Sequence, residues 1–98
     1  MIEIRTTVDF DDWFDGLRDR RTRLRLARRL ERLESGNFGD HKPVGGGVIE
    51  LREHFGPGWR MYLVRRGETI VVMLGGGDKS DQSRDIAAAI ELAEQLED

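Results

Sequence analysis

The sequence predicts a single α+β domain, and three observations predict it. Four short stretches alternate apolar and polar residues or are rich in β-branched types, as strands do. Three longer stretches repeat their apolar residues at helical spacing. The chain has 98 residues, of which 38% are hydrophobic, and no cysteine, so it has material for one modest core without disulfides. The expected order is β-α-α-β-β-β-α. This is a four-stranded, mostly antiparallel sheet with a helical hairpin on one face and a C-terminal helix, the whole of 1–98 forming one unit.

Residues 2–8 alternate and read as the first strand. Asp9 is placed to cap a helix whose apolar stripe is Phe10, Trp13, Phe14 and Leu17, with Asp11 and Asp12 in the first turn where the helix dipole favours acids. Gly16 and Asp19 weaken its end. A second helix is expected over 20–34, with Leu26, Leu30 and Leu33 on its buried face and Ser35-Gly36 ending it. The glycine-rich stretch 36–47 reads as a loop. Strands follow at 48–55, 59–66 and 69–74, separated by Gly56-Pro57-Gly58 and Arg66-Gly67-Glu68, both of hairpin length. Gly75-Gly76-Gly77 ends the last of them. The final helix begins near Asp81 or Ser83 and reaches Leu96, with Ile86, Ala89, Ile90, Ala93 and Leu96 as its stripe.

Charge is segregated. The net charge is −3, yet residues 1–17 carry −4, residues 18–66 carry +7 and residues 67–98 carry −6. Fourteen of the sixteen basic residues are arginine, whose planar fork suits phosphate and carboxylate. Eight lie between Arg18 and Arg32, among them Arg20, Arg21, Arg25 and Arg28, and this helix is a candidate for gripping RNA or an acidic partner. The plainer alternative is a solvated face paired locally with Glu31 and Glu34. Two histidines and no cysteine are too few for a metal cage, and neither metal nor cofactor is expected. A phosphate-binding loop is excluded at Gly77-Asp78-Lys79-Ser80, because Asp78 stands where that motif needs glycine. No apolar run is long enough to span a bilayer, and Met-Ile-Glu-Ile-Arg does not open like a signal peptide, so no membrane partner and a cytoplasmic location are expected.

Strand parity narrows the chemistry. Ile49, Leu51, Phe55, Trp59, Met61 and Leu63 face one way, toward the helical hairpin. Glu50, Arg52, His54, Arg60 and Tyr62 face the other way, and Lys79 is within reach of that surface. If the surface is open, it has the parts for metal-free RNA cleavage. Arg52, Arg60 and Lys79 would act on the phosphate, His54 or Glu50 as base, and Tyr62 as a stacking or proton-donating group. The alternative is an ordinary ion pair between Glu50 and Arg52, a solvated His54, and a Tyr62 that is core under the last helix.

Several segments together carry a family resemblance. They are Phe10-Asp11-Asp12-Trp13-Phe14, Gly36-Asn37-Phe38-Gly39-Asp40, Lys42-Pro43-Val44-Gly45-Gly46-Gly47-Val48-Ile49-Glu50-Leu51-Arg52, Gly56-Pro57-Gly58-Trp59-Arg60-Met61-Tyr62 and Leu74-Gly75-Gly76-Gly77-Asp78-Lys79-Ser80. In this order the chain resembles the RelE/ParE superfamily of bacterial toxins, most closely its HigB-like "addiction module killer protein" branch. The resemblance implies a ribosome-dependent, metal-independent mRNA endonuclease that inhibits translation. Its partners would be mRNA on the ribosome, ribosomal RNA and a cognate, often helix-turn-helix, antitoxin. It also implies phosphate contacts at Arg60 and Arg52, a basic residue at Lys79 and a loop lysine at Lys42. RelE carries a lysine where Glu50 stands, and a C-terminal tyrosine that has no counterpart after Tyr62. ParE-type members share the fold but poison DNA gyrase, so gyrase inhibition is the alternative activity, and an inactive binding member the third.

Overall fold

A computed structural model describes residues 1–96. The elements are β1 (Glu3–Thr6), α1 (Val8–Asp15), α2 (Arg20–Glu34), β2 (His41–Gly45), β3 (Val48–Arg52), β4 (Trp59–Arg66), β5 (Ile70–Asp78), a 3-10 turn (Lys79–Asp81) and α3 (Gln82–Gln95). The fold is α+β, as expected, but the sheet has five strands. Their order is β1-β5-β4-β3-β2, with β1 parallel to β5 and all other pairs antiparallel.

The additional strand is β2, within the stretch read as a loop. Its sequence, His-Lys-Pro-Val-Gly, carries a proline and a glycine, which argue against a central strand. At an edge the missing proline N–H costs nothing, and β2 is an edge strand. Gly45, Gly46 and Gly47 all have positive φ and turn the chain directly into β3. The last strand also runs further than expected, through the three glycines to Asp78. Glycine is required there by crowding. A Cβ on Gly76 would lie 2.4 Å from the Trp13 indole, and one on Gly77 would lie 2.0 Å from the Asp85 carboxylate.

The helix ends follow local hydrogen bonding. Thr7, not Asp9, caps α1: its Oγ1 accepts from the Phe10 N–H at 3.1 Å and donates to the Met73 carbonyl at 3.0 Å, tying the helix start to β5. Asp19 caps α2 rather than weakening the junction. Its carboxylate accepts from the Thr22 N–H at 3.3 Å and the Thr22 hydroxyl at 2.7 Å.

The helices cover both faces. On one face α1 and α2 bury Phe10, Leu26 and Leu33 against Leu51, Met61, Leu63, Val71 and Met73. The parity reading of this face holds. On the other, α3 lays Ala89, with Ile86, Ile90 and Ala93, over Val48, Tyr62, Val64 and Leu74. The surface expected to be open at Glu50 and Tyr62 is therefore closed. Among the described residues no helix is long and apolar enough to cross a membrane.

Candidate functional site

The strand register sets the candidate residues in two rows on the face that α3 covers. Lys42, Glu50, Tyr62 and Gly75 are successive cross-strand partners, as are Arg52, Arg60 and Gly77. Parity thus grouped them correctly, and burial divides them.

Glu50, Arg60 and Tyr62 are sealed, at 0%, 4% and 1% exposure. One Glu50 carboxylate oxygen accepts from the Gln82 side chain of α3 at 2.7 Å. Arg60 Nη1 donates to the carbonyls of Glu53 at 2.9 Å and Trp59 at 3.0 Å, and its Nε stands 3.9 Å from the second Glu50 oxygen. Burial pushes the Tyr62 phenol well above its ordinary pKa, and the nearby Glu50 and Asp85 carboxylates push it further. In this arrangement Glu50 cannot meet a substrate and Tyr62 cannot stack a nucleobase. The placement of both on an open surface is corrected by α3, whose apolar stripe needed a face to bury. Arg60 is the cross-strand partner of Arg52 and holds the end of β3 to the start of β4.

Arg52, His54 and Asp40 form the accessible part. His54 Nε2 lies 2.5 Å from one Asp40 oxygen, and Arg52 Nη2 donates to the other at 3.2 Å. The hydrogen bond from His54, then that from Arg52, holds the Asp40 carboxyl below the ordinary aspartate range. The His54 side chain is 69% exposed, and the hydrogen bond to Asp40 engages only Nε2 of its two ring nitrogens. An imidazole oriented by a carboxylate, next to a guanidinium, can exchange a proton beside an anion. Lys42 is exposed on edge strand β2. Lys79 is exposed at the end of β5, where its methylenes lie across Gly58 in the β3–β4 turn; a Cβ on Gly58 would be 2.6 Å from Lys79 Cδ. Arg20, Arg21, Arg25 and Arg28 are exposed on α2, and the Arg25 guanidinium lies 3.8 Å from the centre of the Phe55 ring. Among the described residues no three of His, Cys, Asp and Glu gather to hold a metal ion.

Two residues of the site were missed in the sequence. Asp40 was noted within a glycine-rich stretch without a role, because fourteen residues of chain separate it from His54 and no local spacing links them. Arg29 was counted with the surface arginines, yet it is 2% exposed. It donates to the carbonyls of Arg52 at 2.8 Å, Phe38 at 2.8 Å and Asp40 at 2.7 Å, and pairs with the Glu53 carboxylate. This clamp ties α2 to the Asp40 loop and to the end of β3, so it sets the distance from Asp40 to His54. The signal was present: Thr22, Leu26, Arg29 and Leu33 lie on one helical face, and all four are buried.

A Haemophilus influenzae (strain Rd) protein described as uncharacterized is 44% identical over 95 residues, covering 97% of this chain and 96% of its own. The chain belongs to that protein's family. Because the match runs almost end to end in both, the shared unit is the whole five-stranded domain rather than one motif within it. No family model matches the sequence.

Proposed function

We propose that this chain is the toxin of a type II toxin–antitoxin module, a HigB-like member of the RelE/ParE superfamily. It would cleave mRNA on the ribosome without a metal and be neutralised by a cognate antitoxin. The observation that carries this reading is the exposed Asp40–His54–Arg52 cluster at the end of the sheet. Lys42, Lys79 and the arginine helix supply positive charge around it. His54 takes the proton of a ribose 2′-hydroxyl. The oxygen attacks the adjacent phosphorus and forms a 2′,3′-cyclic phosphate, and the 5′-oxygen leaves and takes up a proton. Arg52 stabilises the charge that builds on the phosphate. Asp40 keeps the imidazole in place through the hydrogen bond to Nε2. Arg60, the cross-strand partner of Arg52, supports the site by holding the end of β3 to the start of β4. The ribosome holds the substrate, which suits a site with few groups of its own.

The test is to add the purified chain to a reconstituted translation reaction and map mRNA 5′ ends. Wild type should cut mRNA only when ribosomes are present. His54→Ala should lower the rate by about 10²-fold or more, with only a small fall in melting temperature from the lost Asp40 hydrogen bond, because the ring is exposed. Intact mRNA and normal translation would overturn the reading. The burial of Glu50 and Arg60 favours a second reading, a ParE-like inhibitor of DNA gyrase that needs no reacting groups, and a supercoiling assay decides for it.

A further inference from the structure

A groove of about 560 Å³ lies beside the His54 cluster, between α2 and the residue that follows β3. Its walls are Arg25, Arg28, Glu31, Arg32, Ser35 and Glu53. The volume is that of a small-ligand site. Four of these side chains are engaged. Arg25 stacks on Phe55, the neighbour of His54. Glu53 pairs with the buried Arg29, and Arg32 stands 3.8 Å from the same carboxylate. The Ser35 hydroxyl donates to the Arg32 carbonyl at 2.7 Å. Arg28 and Glu31 differ. Among the described residues, neither side chain has an ion-pair or hydrogen-bond partner, and both are exposed. Glu31 sits in the most cationic stretch of the chain and still pairs with none of it.

We infer that this groove is a subsite for a guanine nucleotide of single-stranded RNA, with Glu31 reading the base. The inference rests on the RNA-directed reading above. A carboxylate can only accept. Guanine presents two donors side by side, N1–H and N2–H, which match the two oxygens of one carboxylate. Its other edge carries O6 and N7, which accept from an arginine fork. Adenine and cytosine offer a single amino group, and uracil a single imino group. Arg28 faces the O6/N7 edge or the phosphate, and the Arg25–Phe55 stack leads from the groove to His54. The groove would therefore select the nucleotide next to the cleaved bond.

The experiment uses fluorescein-labelled 2′-O-methyl trinucleotides, which cannot be cleaved, and anisotropy with the full chain. Probes are AGA, AAA and AIA, where inosine lacks the N2 amino group. AGA should bind at least about fivefold more tightly than AAA, with AIA between them. Glu31→Gln should bring all three within about twofold, without weakening AAA. Equal affinities in the wild type, no binding, or a guanine preference that survives Glu31→Gln would overturn the subsite. The assay needs neither ribosomes nor turnover. A chain that cleaves nothing can still show the preference. A chain that cleaves mRNA but shows no preference keeps the enzyme and loses this subsite.

Discussion

Asp85 is held where its charge is least welcome. It is half-buried at the start of α3, directly over Gly77, and burial and then the neighbouring Asp81 raise its pKa above the ordinary value. A carboxyl whose pKa is raised on folding binds protons more readily in the native state, so its ionisation opposes folding. The loss is complete above the raised pKa and vanishes below the unfolded one. Asp85→Asn, an almost isosteric change, should therefore raise the melting temperature at pH 7, with the gain disappearing by about pH 3. A gain that persists in acid would point to packing rather than charge. Asp40 has the opposite sign. Its pKa is lowered, so its hydrogen bonds stabilise the fold at neutral pH and that support is lost as pH falls through the folded value. Neither shift was legible in the sequence, because both arise from residues brought near by folding or by a helix start whose position the sequence left open between 81 and 83.

Among the elements, α2 has two jobs that its sequence writes in one residue type. Most of its arginines are solvated, while Arg29 fills a core position on the same stripe as Leu26 and Leu33. The buried guanidinium is tolerated because it meets one carboxylate and three carbonyl oxygens. Arg29→Met keeps the volume and leaves those acceptors without a donor. Chemical denaturation should show a loss of about 3–5 kcal/mol, and under the proposed function cleavage should fall as well, since Asp40 loses its anchor. A loss below about 1 kcal/mol would show that water replaces the clamp. Strands β2 and β5 teach the complementary lesson. Pro43 and Gly45 look like breakers and are tolerated at an edge, and Gly75-Gly76-Gly77 looks like an end and is strand interior under Trp13 and Asp85. Local propensity misleads where a tertiary neighbour decides which side chain fits.

Across the whole molecule, charge segregation becomes spatial only in part. The acids of α3 lie on the opposite sheet face from the arginines of α2, whereas Asp9, Asp11, Asp12 and Asp15 of α1 share the face of the arginine helix. A polyanion would approach α2 and the adjoining sheet end, where His54 is exposed and Arg52 half-buried. If it does, RNA affinity should fall steeply with salt, and replacing both Arg20 and Arg21 with Ser should reduce the log–log salt slope by about 1.4, from ~0.7 per phosphate contact on a single strand. An unchanged slope would mean that the outer face of α2 does not touch RNA.

The α+β class, the three helices to within a residue or two, the face that packs under α1 and α2, and the shared row of Arg52 and Arg60 were all readable in the sequence. Each follows from a period of two or of about three and a half along the backbone. The fifth strand, the burial of Glu50 and Tyr62, the role of Arg29 and the meeting of Asp40 with His54 were decided only by the tertiary structure. Each depends on which surface lies opposite. An apolar stripe such as that of α3 states that it must be covered, but which face of the sheet it covers is settled by packing the whole chain at once.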